Sequence, residues 1–272
     1  MKLWYQSLAR QTESTPYGEI LRATIAAAVD PGTTVELRGV SQSAGIGVHY
    51  RFLEHHDMRE VMFNAMQAER EGYDAFLIGN ISDAGIREAR ECVNIPVLGL
   101  CETSLHVSSI MGASFGLVTI SPKWNLRILE NVQRYGLERR FAGMEPMNTS
   151  PIELKRAMID LPFRQGIIEQ FNVAAKKLLD KGAEIIIPAG GDIIVFLAES
   201  HTYEIERAPI VNGIVELVKM GEMAVKLRRI TGRFTSKRLS YAPPTGDYLA
   251  RTRAFYGTDV YPDPQRNSIV VR

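Results

Sequence analysis

Short apolar runs alternate along the chain with longer stretches whose apolar positions recur every three to four residues. The runs fall at 2–8, 33–40, 75–79, 96–100, 115–120, 184–188 and 209–211, with a weaker one at 141–146. Helical patterns occupy 18–29, 58–71, 86–92, 124–135, 163–179 and 213–230. Several runs (AFLIG, PVLGL, EIIIP) are apolar almost throughout. Strands read this way when helices cover both faces of a parallel sheet. The alternation therefore predicts βαβ units and an α/β fold.

The strand candidates divide into an early group of four and a middle group of three or four, followed by one long closing helix. This predicts two Rossmann-like lobes with parallel sheets, related by pseudo-twofold symmetry, and an active-site cleft between them. Residues 1–114 with 212–232 would form the N-terminal α/β lobe, residues 115–211 the second, and 233–272 a C-terminal extension. Ligands of such sheets sit beyond the carboxyl ends of the strands. The loops of interest thus follow Leu8, Gly79, Leu100, Ile120, Pro188 and Val211. The extension is rich in Pro, Gly, Tyr and Arg and has no sustained period. It reads as a segment that wraps the body or a neighbouring subunit, so a homo-oligomer is expected.

Composition narrows the partners. The 272 residues are 45% hydrophobic and 23% charged, with a formal net charge of +1 and no run of like charges. Nucleic acid and acidic membranes normally need a concentrated basic surface, so neither is an expected partner. A small anion needs only one or two local donors. No stretch reaches the roughly 20 apolar residues that span a bilayer, and the first residues lack the apolar core of a signal peptide. Two cysteines, Cys92 and Cys101, are too few for a disulfide framework. A cytoplasmic, reduced protein is expected.

Three segments carry a resemblance. They are GYDAFLIGNISDAGIREARE with PVLGLCE (72–91 and 96–102), FGLVTIS (115–121), and GAEIIIPAGGDI with APIVNGIVELVKMGE (182–193 and 208–222). In order and spacing they resemble the aspartate/glutamate/hydantoin racemase superfamily, and hydantoin and allantoin racemases most. The resemblance implies a cofactor-independent enzyme in which two thiols serve the two faces of the substrate. One thiol would lie in a G-C-F-x-D-P-G segment, which here reads Gly79-Asn80-Ile81-Ser82-Asp83-Ala84-Gly85. The other would lie in L-G-C-A-G, which here reads Pro188-Ala189-Gly190-Gly191-Asp192. Asn80 and Gly190 thus stand where the family keeps its cysteines. A carboxamide offers no base at neutral pH and glycine has no side chain, so two-thiol racemisation is unavailable.

Other groups must then carry the chemistry. Asp83 and Asp192 each begin a helix and would approach the cleft from opposite sides, although Asp is also a favoured helix cap. Cys101 and Glu102 follow a strand end; Cys101 is a candidate nucleophile, or a small apolar residue closing a buried strand. Gly190 and Gly191 can offer backbone N–H groups to a carboxylate or oxyanion, or simply permit a tight turn. Asn80, Ser82, Thr119 and Ser121 would add polar donors at strand ends. Gln6 and Ser7 occupy the place of a substrate-binding loop in the hydantoin racemases. His49 or His55 is a substrate-facing candidate, and His49, His55 and His56 show no metal-ligand spacing. No metal and no cofactor is implied. The expected reaction is isomerase or lyase chemistry on a small carboxylate or hydantoin-like cyclic amide, by non-cysteine acid/base groups. The alternatives are hydrolysis of a cyclic imide or lactone through Cys101 or a Glu102-activated water, and a binder without turnover.

Overall fold

A computed structural model describes residues 1–10, 15–43, 50–258 and 260–261. The first sheet is formed by β1 (Lys2–Arg10), β2 (Thr34–Val40), β3 (Ala75–Ile78) and β4 (Val97–Gly99), all parallel, in the order β2-β1-β3-β4. Alternate residues of these strands point to opposite faces, which supply two separate cores. Leu3, Tyr5 and Leu77 pack with α1 (Pro16–Ala28), α4 (Leu100–Met111) and α9 (Gly213–Thr231). Trp4, Phe76, Ile78 and Val97 pack with α2 (Arg51–Arg70) and α3 (Ile86–Cys92). The apolar runs of the inner strands are explained by this sandwiching, since β3 and β4 are buried throughout, whereas the edge strand β2 is partly exposed.

The second sheet repeats the plan. It contains β5 (Phe115–Thr119), β6 (Phe141–Pro146) and β7 (Ile185–Pro188), parallel and ordered β6-β5-β7. Helices α5 (Pro122–Arg134), α6 (Pro151–Ile159), α7 (Leu161–Asp180) and α8 (Gly191–Glu199) belong to this half. The place of a fourth strand is taken by one parallel bridge from Ile210 to Ile186. The run expected at 209–211 instead contributes Ala208–Pro209 (β9) to an antiparallel pair with Glu204–Ile205 (β8). Pro209 pairs with its own hairpin, while Ile210 and Val211 reach the main sheet, the Val211 amide donating to the Ile186 carbonyl at 2.9 Å.

Three local details shape the rest of the molecule. Regular pairing of β1 with β2 lapses between Gln6 and Arg10, so β1 bulges and bends there before Arg10 pairs again with Val40. Gly221 lets α9 close onto β3: a side chain there would start 2.8 Å from Leu77. After Gly232, which ends α9 in the left-handed region, the chain crosses to the end of α3. There the Lys237 ammonium donates to the carbonyls of Arg90 and Glu91, and the Tyr261 hydroxyl donates to the Glu91 carboxylate at 2.8 Å. The extension also holds a helix, α10 (Gly246–Tyr256), with no buried residue. No helix among the described residues is long and apolar enough to cross a membrane.

Candidate active site

Because the two sheets share one strand order, the loops after β3 and β7 occupy matching places and face each other. A side chain at Gly191 would start 3.1 Å from the Tyr17 hydroxyl and 4.0 Å from the Gly79 carbonyl. Between these loops lies a cavity of about 140 Å³. The bent end of β1 forms one wall with Ser7 and Arg10, and the first turns of α1 form another with Tyr17, Gly18 and Arg22. Gly79 and Asn80 enter from β3, Gly191 and Asp192 from the start of α8, and Lys155 from α6. These are the carboxyl ends of β1, β3 and β7, where an open α/β sheet binds ligands.

The local sequence explains each placement. Thr15 caps α1 by accepting from the Gly18 amide, and Pro16 follows at the first helical position. This starts the helix one residue before Tyr17 and puts that side chain at the cleft. Ser150, Pro151 and Glu153 start α6 in the same manner, the Ser150 hydroxyl accepting from the Glu153 amide. Lys155 comes to the cavity on this helix. Gly190 precedes α8 without a side-chain cap, so its first amides are not taken up by a neighbouring side chain.

Asp192 is the carboxylate that lines this cavity. Loss of water raises its pKa from 3.8 to about 6, with Lys155 pulling the other way. Burial and the nearby Asp192 raise Tyr17 well above the usual phenol value, so its hydroxyl stays protonated. Asn80 holds its oxygen toward Ser82, accepting from the Ser82 amide at 2.9 Å and from its hydroxyl. Neither cysteine of the chain lines the cavity.

The sequence profile of the Asp/Glu/Hydantoin racemase family matches residues 14–221. The chain belongs to that family. It is 29% identical over 179 residues to a hydantoin racemase of Pseudomonas sp. (strain NS671), covering 65% of this chain and 67% of that one. It is 30% identical over 186 residues to a hydantoin racemase of Rhizobium meliloti, covering 65% and 69%. An allantoin racemase from Klebsiella pneumoniae superposes with a TM-score of 0.74 at 23% identity, over 90% of this chain and 94% of that one. Glutamate racemase isoform RacE1 from Bacillus anthracis superposes at 0.57 and 12% identity, over 97% and 96%. The two-lobed α/β fold is thus that of the racemases, and the chain is an enzyme of an isomerase family.

Within this racemase fold the residues expected at the site separate sharply. Ser7, Asn80, Gly191 and Asp192 come together at the cavity. Gly190 stands just behind it, buried and in an extended conformation; a side chain there would meet Ile120 and Ile193 at ordinary distances of 3.5–3.8 Å. Asp83 does not face Asp192. It is 1% exposed, and its carboxylate accepts from the amides of Cys101 (2.9 Å) and Glu102 (2.8 Å) and from the Tyr135 hydroxyl (2.7 Å). It clamps the start of α4, which is the capping role.

Cys101 is fully buried in the core, where burial and the Asp83 carboxylate hold its thiol well above the usual value. It sits in the first turn of α4, sealed from the cavity, where a thiol held neutral is a poor nucleophile. Glu102 is engaged in a two-pronged ion pair with Arg90. Gln6 is buried too: its amide donates to the Ser7 carbonyl, while its oxygen accepts from Trp4 and Asn64. Ser82 is spent on Asn80 and on the carbonyl contact with Asn131. Thr119 is buried against Asn125 at 2.6 Å, and Ser121 begins α5 away from the cavity. His49 lies outside the described residues. Residues that the sequence reading missed are Arg10, Tyr17, Arg22 and Lys155. Thr15-Pro16 and Ser150-Pro151-Ile152-Glu153 were the legible signals for the last three, because each announces a helix start beside the cleft.

Proposed function

We propose that this chain is a cofactor-independent isomerase or lyase that moves a proton at the acidic carbon of a small carboxylate or hydantoin-like cyclic amide, with Asp192 as the base. The position and raised pKa of Asp192 carry this reading. A carboxyl group near pH 6 is largely ionised at neutral pH and still returns a proton readily. In the first step the Asp192 carboxylate takes the proton from carbon, and the electron pair of that bond moves into the adjoining carbonyl. The enolate oxygen is met by the unfilled amides at the start of α8, whose positive end favours it. Return of the proton from Asp192 regenerates the substrate. Delivery to the other face, from the Tyr17 hydroxyl or a water held there, inverts the centre, and proton transfer from Asp192 then restores Tyr17. For a lyase, the same enolate expels a leaving group instead.

The hydrolytic alternative loses its support with Cys101 sealed in the core and Glu102 paired to Arg90. The test is exchange of the C5 proton of 5-substituted hydantoins for deuterium in heavy water, followed by NMR against an enzyme-free control. Enzyme-dependent exchange is expected, with Asp192→Asn slowing it by about 100-fold or more. Below pH 6, kcat/KM should fall tenfold per pH unit as the carboxylate is protonated. Wild-type turnover without any carbon-bound deuterium would overturn the proton-transfer reading, and tight binding without turnover would assign the cleft to a binder.

A further inference from the structure

The proton-transfer reading, on which this inference rests, leaves open whether the substrate is charged. The cleft is unevenly furnished. Arg10 at the end of β1, Arg22 in α1 and Lys155 in α6 line it against the single carboxylate of Asp192, an excess of two positive charges. Several arginines and lysines elsewhere are tied to carboxylates: Arg38 to Glu36, Arg51 to Glu130, Arg90 to Glu102, Lys219 to Asp30. Among the described residues, Arg10, Arg22 and Lys155 have no hydrogen bond or ion pair of this kind. Two helices, α1 and α8, also turn their positive ends toward the same space. A concave site lined by one sign of charge concentrates ions of the opposite sign.

Where the negative charge sits on the ligand is decided by the chemistry. A carboxylate on the reacting carbon itself would become a doubly charged enolate beside the Asp192 carboxyl. A charge on a side arm can rest on the cationic wall while the ring carbonyl accepts the electron pair. A hydantoin ring with an uncharged substituent would leave the wall unused.

We propose that the substrate is an anion whose charge lies on a side arm, a carboxylate-bearing cyclic amide, with the arm held by Arg10, Arg22 and Lys155. Each charge-assisted contact is worth about 10- to 100-fold in affinity.

The experiment compares hydantoin-5-acetic acid with 5-isobutylhydantoin, a neutral ring with an arm of similar size. Deuterium exchange at C5 and calorimetric binding are measured on the wild type and on the Arg10→Gln/Arg22→Gln double variant, with Lys155 kept so that the field on Asp192 is preserved. The acid should exchange with the higher kcat/KM, and the acid-to-neutral ratio should drop at least tenfold in the variant and with added salt. A preference for the neutral ring, or a ratio unchanged in the variant, would overturn the anionic substrate while leaving the proton-transfer reading intact. If neither compound exchanges, the proton-transfer reading fails and calorimetry decides: binding of the acid weakened at least tenfold in the variant supports the anion site. Absence of binding, or binding equal in wild type and variant, overturns it.

Discussion

The bond from Tyr135 to Asp83 joins the second half of the molecule to the loop that carries Asn80, and its energetic role depends on pH. The Tyr135 hydroxyl donates at 2.7 Å to a carboxylate that is 1% exposed and raised from 3.8 to about 7, chiefly by burial. The same hydroxyl is the leading influence that opposes the rise. Tyr135→Phe removes one donor and leaves ring packing in place. Below pH 7 the Asp83 carboxyl is protonated, and a neutral hydrogen bond contributes about 0.5–1.5 kcal/mol. Above it the carboxylate is charged, and the bond contributes about 1.5–3 kcal/mol. The sign follows from linkage. A carboxyl raised on folding contributes stability that fades as pH rises from about 4 to about 7. In the variant the folded pKa is higher still, so the fading continues to higher pH. The gap between wild type and Tyr135→Phe must therefore widen from pH 5.5 to pH 8.5. Urea unfolding at both pH values measures it, and at about 2–4 °C per kcal/mol the melting temperature should fall by roughly 3–12 °C at pH 8.5. The ring of His106 lies 6.1 Å from that of Tyr135, so the comparison is repeated in a His106→Gln background to isolate Asp83. A gap equal at both pH values, or wider at pH 5.5, would refute the reasoning.

Other consequences are equally open to measurement. Cys101 should resist iodoacetamide in the native protein and react only once the chain is unfolded, because its thiol is buried and held neutral; labelling in the native state would reinstate it as a reactive group. Gly79→Ala would place a methyl 2.1 Å from the buried Tyr5 ring and should cost about 1–3 kcal/mol or more, whereas Gly190→Ala meets nothing nearer than 3.5 Å and should stay within about 0.5 kcal/mol. Denaturant midpoints of the two variants decide this, and equal losses would contradict the packing. Glu216 has one carboxylate oxygen buried without a partner and a pKa raised from 4.5 to about 8. Its contribution to stability is lost as pH rises from about 4.5 to 8, so Glu216→Gln should flatten the dependence of melting temperature on pH in that window; an unchanged slope would exclude Glu216 as its source.

Strands and most helices were legible in the chain because burial on both faces leaves no polar position in a run such as AFLI or IIIP. Three helices escaped. Helix α4 begins directly at the end of β4 without an intervening loop, so its apolar residues read as the tail of a strand. Helix α6 is nine residues long, too short for a period to stand out, although its capping residues were visible. Helix α10 buries nothing and so has no apolar stripe. At the site, loop positions could be read from strand ends, but side-chain direction could not. Asp83 and Asp192 look alike in sequence, each an acid at a helix start. One has its oxygens taken by α4 and Tyr135, and the other is left facing a cavity. That difference arises from elements distant in sequence. Arg10 and Lys155, 145 positions apart, likewise share a wall only after folding.

The return of α9 to the first sheet has a consequence for the order of folding. The strands β5, β6 and β7 and the helices between them follow one another along the chain, whereas β3 and its neighbours need α9, and so the chain up to Thr231, to cover one face. During synthesis the second half can therefore condense while Leu77 and the apolar face around it still await their cover. A chain ended near Val211 would keep every strand of the first sheet and leave that face wet, making a sticky, aggregation-prone fragment rather than a smaller enzyme.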